Sequence, residues 1–242
     1  MSVSTPSSTP AVEPPAAPAG RLTASMLFYA FANRVAPPAG RLDKAKAVPC
    51  AGPDVKVQQD ALATTLVHAA LWDLGRRGVI RLEEVEKKVL FVKTKSLKVR
   101  PSAGSDPSAE PADSLEFDLL QAALRRGDDG DVRSVVRALY PKDVEDPFRR
   151  AIGMANVAEI NAGLVRLDVE ERSGIGRVLG KKERLVWQCD VIAAHRDDFA
   201  AIVRDWNRDH DADPAAFDRL ATEIRRAIAS REHEERGSIF DD

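Results

Sequence analysis

The chain has 242 residues, 44% of them hydrophobic and 31% charged, enough to bury one substantial core or two small ones. Its 36 Lys and Arg against 38 Asp and Glu leave a formal charge of -2, which excludes the basic excess of a protein that coats nucleic acid and confines any anion site to a local patch. Two widely spaced cysteines, Cys50 and Cys189, argue against a disulfide scaffold or a cysteine-built metal site, and no uncharged apolar run reaches the roughly 20 residues needed to cross a bilayer.

In chain order, residues 1–20 are Ser, Thr, Pro and Ala with little to anchor a core and no leader-like basic and apolar regions, so a disordered tail on a cytoplasmic protein, at most peripheral to a membrane, is expected. LTASMLFYAFANR, Leu22 to Arg34, predicts the first core helix, with Thr23 as N-cap and Leu27, Phe28, Ala30 and Phe31 as its buried stripe. The prolines of residues 35–57 predict a long loop. From Asp60, Leu62, Leu66, Ala70 and Leu74 recur every four residues with Ala63, Val67 and Leu71 alongside, a helix with one broad apolar face. Gly75 and Gly78 bracket Arg76 and Arg77 and stop it. Two β-branched runs follow, Val79 to Glu83 and Val89 to Thr94; with EVEKK between them as the turn, they read as a basic hairpin.

Residues 101–113, PSAGSDPSAEPAD, read as a mobile surface loop too polar to pack. Helices are predicted from Ser114, over Val132 to Leu139, and over Pro147 to Ala162, where Phe148, Ile152, Ala155 and Ala158 share a side and Gly163 closes it. LVRLDVEE then leads through RSGIGRVLGKK to LVWQCDVI. Each half thus carries an Ala-rich helix that ends in glycine and passes into a strand-like run, a weak internal helix–hairpin repeat. His195 to Asp205 and Asp213 to Ile228 finish the core as helices. The organisation is mainly α: a tail over 1–20, one helical domain over 21–230 with one or two β-hairpins and loops at 35–57 and 101–113, and a charged tail over 231–242.

The chemistry is sparse. His68, His195, His210 and His233 are scattered; His210 with Asp209, Asp211 and Asp213 is the one metal-like cluster and reads as a solvated helix link, so no metal or other cofactor is expected. RSGIGRVLGKK lacks Walker spacing and reads as a turn, and no nucleophile sits in a glycine elbow, so no catalytic residues are assigned and a non-enzyme is expected. Trp72 and Trp187 lie in apolar stretches and read as core. Lys87, Lys88, Lys93, Lys95, Lys98 and Arg100 crowd the hairpin and would project a local positive field; Arg149 and Arg150, at a helix start, are the other candidate anion contacts. The hairpin lysines read first as guards of a solvated edge that needs no partner; the competing readings are the wing of a DNA-binding domain and a face for acidic lipid or a second subunit.

The segments LFYAFANR, LATTLVHAALWDLGRRGVIRLEE, LEFDLLQAAL and AEINAGLVRLDVEE, in that order between about Leu22 and Ile228, resemble the Golgi phosphoprotein 3 family. The resemblance implies one mostly helical domain that binds phosphatidylinositol 4-phosphate through a basic pocket and makes oligomer contacts through a hairpin. Residues 51–59 hold no tryptophan and residues 61–63 no arginine where that family carries them. Arg149, with Arg150, falls near its second arginine pair, and Ile152 takes the partner's place. The expected function is a non-enzymatic adaptor that binds an acidic, phosphoinositide-like headgroup through Arg149, Arg150, Lys87, Lys88, Lys93 and Lys95, or else a protein partner. A homo-oligomer through the hairpin and, as the alternative, a tandem winged-helix DNA-binding or chromosome-organising protein complete the expected partners.

Overall fold

A computed structural model describes residues 21–40, 47–49, 56–89, 92–141, 144–170 and 182–238. The predicted tail over 1–20, Cys50 and the segment 171–181 lie outside them. The described chain is mainly helical with small antiparallel hairpins: α1 (Ala24–Ala30), α2 (Ala32–Val35), β1 (Ala47–Pro49), β2 (Lys56–Gln58), α3 (Gln59–Arg76), β3 (Ile80–Val89), β4 (Val92–Pro101), α4 (Leu115–Arg126), α5 (Val132–Arg137), α6 (Pro147–Asn161), β5 (Val165–Glu170), β6 (Lys182–Trp187), α7 (Cys189–Ala194), α8 (Arg196–Ala212) and α9 (Pro214–Ser238).

Helix α3 is the axis, packed by α1, α4, α6 and α9. Its apolar face is broader than the four-residue spacing implies: every residue from Leu66 to Leu74 is buried, including His68, Trp72 and Asp73. A helix enclosed on all sides needs small residues where neighbours approach, and Ala63, Ala69 and Ala70 supply them. The first predicted helix starts where expected, with Thr23 Oγ1 accepting from the Met26 N–H, but it breaks at Phe31 into α1 and α2. Glu116 of α4 is fully enclosed and accepts from the Ser25 N–H at 3.0 Å and the Ser25 hydroxyl at 2.7 Å, tying α4 to the start of α1. Burial pushes its carboxyl above the ordinary range, and the Ser25 donors pull it back.

The two helix–hairpin units close by the same bonds. The Val79 N–H reaches back to Leu74 O and the Leu164 N–H to Glu159 O, each at 2.9 Å, across Gly78 (φ 70°) and Gly163 (φ 74°). Beyond each hairpin, the Ser102 N–H donates to Val79 O and the Gln188 N–H to Leu164 O, again at 2.9 Å. Hairpin β5–β6 pairs from Val165↔Trp187 to Glu170↔Lys182.

The first hairpin departs from expectation at its turn. EVEKK is not a turn but the middle of β3; the ladder runs unbroken from Ile80↔Pro101 to Val89↔Val92, so the reversal lies between residues 89 and 92. Apolar alternation stops after Leu82, and it is the cross-strand pairing with Lys93 to Leu97 of β4 that carries Glu84 to Lys88 on as strand.

Residues 101–113 also differ from the bare loop expected. They hold a short 3₁₀ turn at Pro107–Ala109, and Glu110 is buried, accepting from both Arg77 terminal nitrogens at 2.6 and 2.8 Å. Arg77 Nε donates in turn to buried Asp73 at 2.8 Å, so one guanidinium neutralises two enclosed carboxylates and fastens the linker to the end of α3. The segment 35–57 holds β1 and β2 among its described residues. Helices α8 and α9 run longer than predicted, and Leu220, Ile224, Ala227 and Ile228 of α9 close the core against α5 and α3. No helix among the described residues is long and apolar enough to cross a membrane.

Candidate functional site

Helices α3 and α6 both begin at one cleft of about 680 Å³, lined by Gln59, Asp60, Glu145, Asp146, Arg149 and Arg150 among others. Asp146 is the N-cap of α6: its side chain accepts from the Arg149 N–H at 2.9 Å, with Pro147 in the first turn, where its lack of an N–H costs nothing. The same carboxylate receives Gln59 Nε2 at 3.0 and 2.8 Å, which locks the start of α3 to the start of α6. Asp60 is held by Arg225 of α9 at 2.7 Å. Two of the cleft's acids are therefore engaged internally, and Gln58 provides no side-chain cap for the first amides of α3.

Both predicted arginines reach the surface at this cleft. Arg150 is partly occupied. Burial first, and then Asp113, push the Asp118 carboxyl above its ordinary value, while the charges of Arg150 and Arg125 pull it down. Arg149 contributes its backbone to the cap and leaves its guanidinium exposed. Glu145 is the exposed acid beside them.

The hairpin cations Lys95, Lys98 and Arg100 do not line this cleft, and the side chains of Lys87, Lys88 and Lys93 lie outside the described ones. Lys95 pairs with Glu84 at 2.5 Å and lines a separate cleft with residues of α5 and α9. Lys88 is paired in register with Lys93 and Lys87 with Thr94, so these three sit in the outer half of the ladder. At its base, Lys98 is buried and donates to Asp129 O at 2.8 Å, and Arg100 bonds Glu83 and Asp128 at 2.6 and 2.7 Å. These two cations hold the 127–131 turn against β4. Among the described side chains, Lys95, Lys98 and Arg100 therefore stand apart from the arginine pair at the α3–α6 cleft. Glu84 holds Lys95, and Glu83 with Asp128 holds Arg100, partners invisible in a linear reading.

Sequence reasoning missed Gln59, Asp146 and Arg225. The Asp-Pro step at 146–147 is an N-cap signal that could have placed Asp146; nothing local marks the other two. The metal-like cluster is dispersed into structural bonds. Asp209 accepts from Trp72 Nε1 at 3.1 Å, His210 Nδ1 lies 3.3 Å from Asp211, and Asp213 caps α9 through the Ala216 N–H. Among the described residues no group of three or more His, Cys, Asp and Glu could hold a metal ion. Trp72 is core, while Trp187 is half-buried with its ring 5.2 Å from that of Tyr29.

No family model, curated protein or solved structure matches the chain.

Proposed function

We propose that the chain is a non-enzymatic adaptor of the Golgi phosphoprotein 3 type that docks on an acidic membrane surface, with Arg149 and Arg150 meeting a phosphoinositide-like headgroup. The observation that carries this reading is the exposed arginine pair at the mouth of a cleft where two long helices begin and where Asp60 and Asp146 are engaged by Arg225 and Gln59. Helix starts direct positive partial charge at a bound anion, and guanidinium groups fit phosphate as bidentate forks.

The duplex-DNA alternative draws less support, because Lys98 and Arg100, which a wing would lend to phosphates, are spent on internal partners.

Flotation with neutral vesicles, vesicles containing phosphatidylserine and vesicles containing phosphatidylinositol 4-phosphate tests the proposal. Retention on acidic vesicles, strongest with the phosphoinositide and lost in an Arg149→Glu/Arg150→Glu double variant, is the expected result. Absence from all three at low salt, or retention unchanged by the double variant, removes the claim.

A further inference from the structure

Between hairpin β3–β4, the start of α5 and α9 lies a second cleft, of about 430 Å³, which shares no lining residue with the α3–α6 cleft. Lys95, Arg133 and Arg226 line it with Ser96, Asp131 and Glu223. Arg219, Glu223 and Arg226 recur along α9 at helical spacing, so one stripe of that helix borders β4.

The charges there do not balance. Glu223 accepts from Arg133 Nη2 at 3.0 Å and from Arg133 Nε, and lies 3.8 Å from Arg226 Nη1. Glu84 takes both Lys95 and Arg219. Asp131, the remaining acid, caps α5 by accepting from the Ser134 N–H at 2.8 Å. Four cations thus face three carboxylates, since Asp131 still acts on Arg133 through its charge while it caps α5, and Lys95, Arg133 and Arg226 each keep half or more of their side-chain surface in solvent. Beside them Ser96 Oγ has no hydrogen-bond partner among the described residues. A surplus of cations, two of them forked, with a free hydroxyl in a recess of small-molecule size, matches a compact polyanion with several acceptor oxygens.

We propose that this cleft binds the phosphoryl group of a phosphate ester through Arg133, Arg226, Lys95 and Ser96, as an anion site separate from Arg149 and Arg150. Glu223 orients the two guanidinium groups and keeps one engaged when the other turns to the ligand.

The test is a thermal-shift and ³¹P NMR titration of the full chain with inorganic phosphate and pyrophosphate, against sodium chloride at matched ionic strength. Saturable stabilisation above the chloride control is expected. In an Arg149→Gln/Arg150→Gln background, which removes the first cleft's contribution, saturable binding should persist, and there Arg226→Gln should weaken it at least tenfold and Ser96→Ala by less. Arg226 is exposed and its contact with Glu223 is long, so its variant preserves the fold even if an Arg133 variant does not. Competition of the phosphate signal by phosphatidylinositol 4-phosphate vesicles would assign the site to a lipid headgroup. Retention of the signal in their presence would assign it to a soluble ester, and either result supports the site. A shift equal to that in chloride, or one lost with Arg149 and kept with Arg226→Gln, overturns it.

Discussion

Two buried side chains with polar atoms unpartnered among the described residues make the fold sensitive to pH from opposite sides. His68 packs among Trp206 and Phe217 with ring centroids at 4.6 and 4.8 Å, and its Nε2 is unpartnered among the described residues. Burial first, then the charge of His210, lower its pKa from 6.5 to about 3. The unfolded chain accepts a proton that the folded chain refuses. The stability held above pH 6.5 is therefore lost as pH falls toward about 3, by up to about 1.4 kcal/mol per unit. Glu159 is the opposite case: 0% exposed, with neither carboxylate oxygen partnered among the described residues, it is pushed by burial well above its ordinary 4.5. Its contribution is full below that value and is lost as pH rises toward the raised one. Urea midpoints from pH 4 to pH 8 check both. His68→Phe should flatten the acid limb and Glu159→Gln the rise-side loss; profiles that merely shift in parallel with wild type would refute this account.

At the scale of elements, the turn out of α3 depends on backbone conformation at one residue. Gly78 sits at φ 70° with nothing within 4 Å of the position a Cβ would take, so a substitution meets strain in the backbone and no clash. Gly78→Ala should lower unfolding free energy by roughly 1 kcal/mol and Gly78→Asn by less, since asparagine tolerates the left-handed region better. Calorimetry reads this directly, and an alanine variant as stable as wild type would show that the turn relaxes. Gly130 matters for a different reason. A Cβ there would come within 3.1 Å of Arg126 Cβ and 3.4 Å of Val99 O, where the 127–131 turn lies against β4. The helices were legible because their cues are local: Thr23, Ser114 and Gly163 do at α1, α4 and α6 what their residue types predict. EVEKK reads as a turn by its charge, and only pairing with a strand that follows it in the chain makes it part of β3, a partner no local cue reveals.

For the whole molecule, two kinds of electrostatics coexist. Arg77 lies between Asp73 and Glu110, both nearly solvent-free, where salt screens little; Arg149 and Arg150 face water, where the screening length is about 10 Å at 0.1 M salt. Raising salt to about 0.5 M should therefore strip the protein from acidic vesicles while leaving its urea midpoint nearly unchanged. Salt-resistant vesicle binding would instead point to an apolar contact. Helix α9 links the surfaces concerned: Arg225 holds Asp60 at the α3–α6 cleft, and its neighbour Arg226 lines the hairpin cleft.

Periodicity, caps and glycines act within a few residues, so the chain's own order determined its mainly helical class, the two helix–hairpin units and the candidate arginines. Which cations remain available was decided only by tertiary structure. Lys98, Arg100 and Arg77 each find a partner 17 to 33 residues away, and Arg225 finds Asp60 at 165. A charge is neutralised by whatever folding brings within a few ångströms, and separation along the chain carries no record of that.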